Sequence, residues 1–159
     1  MDHDKQLRQQ LSKVLDWNEA HTDFSAAVAS FPAELRGRVP DGSPHSAWQL
    51  LEHIRIALWD IVEFSRNARH KSPEWPEGYW PKAPEPPSAA AWEHSVKSVK
   101  EHLEEMRELI KDPKHDLFAP ISHGSGQTLL RQALLIADHN AYHLGQFVLV
   151  RKALDAWKG

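Results

Sequence analysis

Apolar side chains recur along this chain with the period of an α-helix, in four separate stretches. In the first, Leu7, Leu11, Val14, Asn18, His21, Ser25 and Val28 share one side of a helix predicted from about Asp4 to Val28. Phe31-Pro32 ends it, and a loop with two glycines and two prolines follows from Arg36 to Pro44. A second helix starts near Ser43 to Ser46, residues suited to N-caps, and continues to about Asn67. Six prolines between Pro73 and Pro87 then exclude regular structure until Ser88. The third helix carries Trp92, Val96, Val99, Leu103, Met106 and Ile110 on a narrow stripe, the pattern of a bundle seam. After Pro113, Pro120 and His123-Gly-Ser-Gly, the last helix spans roughly Gln127 to Ala156. It is apolar nearly all round, which predicts the most buried helix of the four. No internal repeat is visible.

Loop length suggests how these helices connect. A ~22-residue helix is ~33 Å long, and ~20 extended residues reach up to ~66 Å. The proline-rich segment can therefore return along the whole bundle and start the third helix parallel to the second. The expectation is an all-α fold, one four-helix bundle in up-down-down-up order with a long crossover between helices 2 and 3. The last helix shows more apolar circumference than three neighbours cover, so a two-fold homodimer is also expected.

Composition narrows the function. With 159 residues the chain fits one domain with its own core. It has no apolar run of the ~20 residues that a membrane span needs. The polar start Asp2-His3-Asp4-Lys5-Gln6 does not read as a secretory signal. A net charge of -3 argues against nucleic acid as the main partner. The absence of cysteine removes disulfides, thiolate metal sites and a cysteine nucleophile, and leaves a cytoplasmic setting as the simplest reading. Eleven histidines remain, and they carry the candidate chemistry.

His139-Asn-Ala-Tyr-His143 is the sharpest local signal. Four residues turn a helix through about 400°, so the two imidazoles project side by side one turn apart and can grip one ion. Leu129, Ile136, Phe147 and Val150 share their face, which points it at the core. The other reading of the pair is two histidines satisfied by hydrogen bonds. His53 lies ~12 Å below the start of the second helix and His143 ~20 Å below the end of the last, so in the expected order they come to similar depth. His21, about ten residues above the end of the first helix by the same spacing, falls at that level too. It is expected to line the pocket and to orient a substrate or move a proton. His94 and His102 fall on the polar side of the third helix. His3, His70 and His115 sit in terminal or loop contexts that predict solvation, and turn chemistry accounts for His45 and His123. Glu52 and Asp138 point ~100° away from their histidine neighbours, as exposed charges or outer partners. Asp60, two turns from His53, is expected to line a cavity.

Trp48-Gln-Leu-Leu-Glu-His53-Ile and Ala137-Asp-His139-Asn-Ala-Tyr-His143-Leu-Gly-Gln146 resemble segments of the DinB/YfiT-like superfamily. The resemblance runs along essentially the whole chain, the long crossover included. It implies the up-down-down-up bundle and a divalent metal, commonly zinc or nickel, on a histidine triad that falls here on His53, His139 and His143. It also implies either a reaction with a low-molecular-weight thiol or no known reaction.

Three neutral imidazoles leave such a metal its full charge and an open position, where water or a thiol becomes a nucleophile. The expected activity is therefore hydrolysis or thiol transfer on a small molecule, with a non-catalytic metal or ligand sensor as the rival. Peptide hydrolysis of the zincin kind is disfavoured, because Asn140 stands where that motif needs glutamate. Ser125 has no base to activate it. Trp75, Tyr79 and Trp80 either cover the mouth of the pocket or pin the proline-rich linker to the bundle.

Overall fold

The computed structural model describes residues 2–16 and 19–157. Among them are five α-helices and no strand: α1 (His3–Val14), α2 (Phe24–Val28), α3 (Ala47–Arg66), α4 (Ala89–Lys111) and α5 (Leu129–Ala153). Short 3-10 turns lie at Ala33–Leu35 and Glu77–Tyr79. An isolated bridge joins Pro120 to Thr128. No helix among the described residues is long and apolar enough to cross a membrane.

Side-chain caps decide where the long helices begin. Ser46 Oγ accepts from Gln49 N at 3.2 Å while Gln49 Oε1 accepts from Ser46 N at 3.1 Å, a reciprocal box that opens α3. Ser88 and Thr128 do the same, singly, for α4 and α5. α4 ends against Arg8, whose buried guanidinium donates to the carbonyls of Ile110, Asp112 and His115 at 2.7, 3.2 and 2.8 Å. A cation placed there satisfies end carbonyls and complements the helix dipole.

The first helix is shorter than its periodicity predicts. It stops at Val14, and Glu19 to His21 form bends before α2 starts at Phe24. Aspartates supply the physical reason. Asp16 Oδ1 accepts from Phe24 N at 3.1 Å and Asp23 Oδ1 from Ala26 N at 2.7 Å, so short side chains take donors that a continuous helix would leave to its backbone. Of the stripe predicted for this helix, Asn18 lies outside the described residues. His21 belongs to the bend and is exposed, not on an inner helical face.

α3 packs on both α4 and α5, and α1 touches the same two. The core between them holds Leu50, Leu51, Ile54, Leu58, Trp92, Met106, Ile136 and Phe147. Phe31 wedges against Trp92 and Phe147, with ring centroids 5.5 Å away in each case. α3, not the last helix, is the most buried: 12 of its 20 residues are buried, against nine of 25 in α5. Leu134, Tyr142 and Leu149 on α5 are at least half exposed, so the apolar circumference of that helix is partly uncovered.

The proline-rich crossover is packed on α3. Ser46 donates to the Pro84 carbonyl and Gln49 Nε2 to that of Pro81 at 3.4 Å. A Cβ on Gly37 would stand 2.4 Å from Glu85 Cβ, so the loop before α3 and the crossover touch at a place only glycine fits. Replacing Ser46 by Ala removes the cap of α3 together with one of these ties. The variant is expected to lose about 1–2 kcal/mol in urea unfolding.

Candidate metal centre

α3 and α5 bring three histidines to one point. His53 Nε2 lies 3.0 Å from His143 Nε2 and 3.0 Å from His139 Nε2. One ligand atom from each falls within 4.8 Å of the others. His53 is 2 % exposed and His143 8 %, whereas His139 is half-buried.

The outer ring nitrogens determine what faces inward. His53 Nδ1 is 3.0 Å from the Tyr79 carbonyl, which can only accept, so the proton is on Nδ1 and Nε2 carries a lone pair. His143 Nδ1 is 2.7 Å from Gln146 Oε1, which holds that ring in the same tautomer. The Gln146 amide is oriented with Nε2 towards the Tyr142 hydroxyl, at 3.4 Å. Two lone pairs therefore confront each other across 3.0 Å with little water to separate them.

Protons do not relieve this well. Burial first, then the neighbouring imidazoles, push His53 down to about 4, although the Tyr79 carbonyl works the other way. Burial and His139 push His143 down to about 4 as well. Burial also lowers His139; the Asn140 side chain eases this, yet His139 Nδ1 and Asn140 Oδ1 both stay buried without a partner in hydrogen-bond geometry. All three rings are thus neutral near pH 7, and those of His53 and His143 turn their lone pairs towards each other. That donor set suits a cation: imidazole nitrogens at ~2.0–2.1 Å from one metal stand roughly 3 Å apart.

Residues given other or open roles in the sequence complete the surroundings. Trp80 lies flat on His53, centroids 3.8 Å apart and planes 4° from parallel, and His45 stacks on the other face of Trp80 at 4.0 Å. His45 is thus part of the site and not only a turn residue. It lines a cavity of about 270 Å³ together with Asp41, Leu50, Gln146 and Leu149. His70 is not solvated: its Nε2 lies 2.7 Å from Asp60 Oδ1, with the ring edge-on to Trp59. Asp60 is buried, and its second oxygen accepts from the Tyr79 hydroxyl at 2.7 Å. Burial and Asp60 raise that phenol to about 12, which keeps it a donor. Tyr79 and Trp80 pin the crossover to the bundle, while Trp75 is exposed and touches Tyr79 edge-on.

The remaining candidates lie elsewhere. Glu52 is buried, paired with Arg55 at 2.8 and 2.9 Å, and accepts from Ser95 on α4, so it is a tie between helices. Asp138 and His94 are exposed, and His102 faces Ser98 and Glu105. His21 Nδ1 lies 2.8 Å from the Thr22 carbonyl. Its ring borders a small cavity of about 30 Å³ that also meets Asp16, Asn140 and Leu144, on a flank of α5 different from that of Gln146.

The sequence profile of the DinB superfamily matches residues 16–147. No curated protein and no solved structure matches the chain.

The depressed histidines make a prediction for the metal-free protein. An unfolded imidazole takes up its proton near pH 6.5, whereas native His53 and His143 wait until about 4. Between these values the unfolded chain binds more protons, so stability falls as pH falls through that window. Thermal unfolding of chelator-treated protein should show this slope. A His53→Gln/His143→Gln double variant should flatten it, and an unchanged slope would contradict the assigned burial of neutral rings.

Proposed function

The chain belongs to the DinB superfamily, and from that premise we propose that it holds one divalent ion between His53, His139 and His143 and uses it on a small molecule. The observation that carries this reading is the pair of lone pairs at 3.0 Å, each fixed by a hydrogen bond on the far side of its ring. Zinc or nickel is compatible with this set, since neutral imidazoles suit both ions. Bound there with an open position, such an ion lowers the pKa of a water or thiol beside it. The protein's own residues do the rest. Gln146 and the Tyr79 carbonyl orient two of the rings, and Trp80 shields one face of His53 from water.

The substrate side of the reading rests on the cavity of about 270 Å³ beside Gln146. Its lining combines apolar side chains (Leu50, Leu149, Val150) with Asp41 and His45, which suits a small molecule with a hydrocarbon body. Hydrolysis or transfer of a low-molecular-weight thiol fits this setting. Asn140, in the place of a zincin glutamate, weighs against peptide substrates. We assign proton transfer to His45, not to His21, because His45 borders this cavity and stacks on the ring that covers His53. The rival, a non-catalytic metal sensor, draws support from the same Trp80, since a ring laid flat on His53 narrows the approach to the triad. The up-down-down-up order and a cytoplasmic setting belong to the proposal too. So does a two-fold dimer through the exposed Leu134, Tyr142 and Leu149 of α5.

Three measurements check this. Replacing His53, His139 or His143 singly by Ala should weaken zinc or nickel binding more than tenfold in a chelator competition, because each removes one metal bond; equal affinity in all three variants would end the metal reading. In a screen of thiols and small electrophiles, His45→Ala should keep the metal and lose about 10²-fold in turnover. The same loss in His21→Ala, with His45→Ala unaffected, would return that role to His21, and no turnover in any wild-type assay would favour the sensor. Sedimentation at tens of micromolar should give a dimer, and Leu149→Glu a monomer.

A further inference from the structure

Asp60 follows His53 by seven residues on α3. Seven residues turn a helix through about 700°, so the two side chains share a face about 10 Å apart along the axis. The carboxylate is buried, and a buried charge without partners would be costly. Both its oxygens are taken. Oδ1 is 2.7 Å from His70 Nε2, and Oδ2 accepts from the Tyr79 hydroxyl at 2.7 Å.

These two partners bracket the first half of the crossover, so one carboxylate closes residues 70–79 into a loop clasped on α3. Little slack remains inside it. A Cβ on Gly78 would stand 2.7 Å from Pro73 Cβ, and Gly78 N donates to the Glu74 carbonyl at 2.7 Å. A loop this tight, held at Tyr79 by its phenol, determines where the Tyr79 carbonyl lies. That carbonyl meets His53 Nδ1 at 3.0 Å, and the next ring along the chain, Trp80, lies on the face of His53.

We infer that Asp60 is a positioning residue for His53. Acting through Tyr79, it fixes the carbonyl that keeps the proton on His53 Nδ1 and so aims the Nε2 lone pair at His139 and His143. Without this tie the ring would be free to adopt the other tautomer, with an N–H pointing into the triad and no lone pair for a cation. The consequence for affinity rests on the reading of the triad as a metal centre. The consequence for the tautomer does not.

The test combines two readouts on Tyr79→Phe, which removes one hydroxyl and little else. Long-range ¹H–¹⁵N spectra of the metal-free protein report the His53 tautomer, and competition with a chromophoric chelator reports zinc affinity. Wild type should show His53 as Nδ1–H alone. The variant should show a mixture of tautomers and bind zinc about 10-fold or more weakly, the usual cost of losing an outer partner. Asp60→Asn, whose amide oxygen still accepts from Tyr79, should keep the wild-type tautomer. A role in folding alone would lower the unfolding midpoint of Tyr79→Phe and leave the tautomer unmoved, which overturns the inference. So does a wild-type His53 found as Nε2–H, a result that decides the matter even if Tyr79→Phe does not fold. If wild type binds no zinc, the metal reading falls, and the tautomer comparison still judges Asp60.

Discussion

Two imidazole nitrogens with lone pairs aimed at each other across 3.0 Å form the contact around which this molecule is arranged. Left alone, they repel, because no water fits between them at that separation. The protein nevertheless holds them there, and does so from outside. A carbonyl of the crossover grips His53 and a glutamine of α5 grips His143, each by the nitrogen that faces away. Strain of this kind persists only where the surroundings over-determine it. The surroundings here are the two most extensive helix contacts of the fold, α3 with α4 and α3 with α5, together with the crossover laid over the start of α3.

The crossover is therefore part of the site and not a connection between helices. Its prolines have no amide hydrogens to donate, and its carbonyls are used in turn. Pro81 and Pro84 accept from Gln49 and Ser46 at the start of α3, and Tyr79 accepts from His53. The same residues that cap α3 thus hold down the segment that orients the histidine of α3 seven residues further on. Helix nucleation, linker placement and imidazole orientation share one set of hydrogen bonds.

How much of this the sequence discloses follows from which interactions are local. The His139/His143 pair is legible because one turn of helix juxtaposes residues four apart whatever the rest of the chain does. The seam from Trp92 to Ile110 is legible because its spacing matches its burial. His53 needs more: helical pattern and loop length suggest only a similar depth, and the resemblance to the DinB/YfiT-like superfamily places it in the triad. The first helix reads too long because periodicity does not register Asp16 reaching forward to the amide of Phe24. His70 looks solvated because its partner is ten residues back on α3. The contact of His45 with Trp80 is not legible for the same reason, although Trp80 itself stands out as a ring that covers the pocket or pins the crossover. Their meeting depends on the path of the crossover, which no helical period encodes. The burial of α3 and the uncovered side of α5 likewise follow from which helix sits centrally, a property of the assembled bundle.

The ring stack of His45, Trp80 and His53 has an optical consequence. An excited indole in face contact with an imidazole transfers an electron to it more readily when the imidazole carries a positive charge. Trp80 touches one such ring on each face. Its emission therefore follows the electronic state of the triad, and any proton or ion arriving at His53 changes the light that the protein gives off.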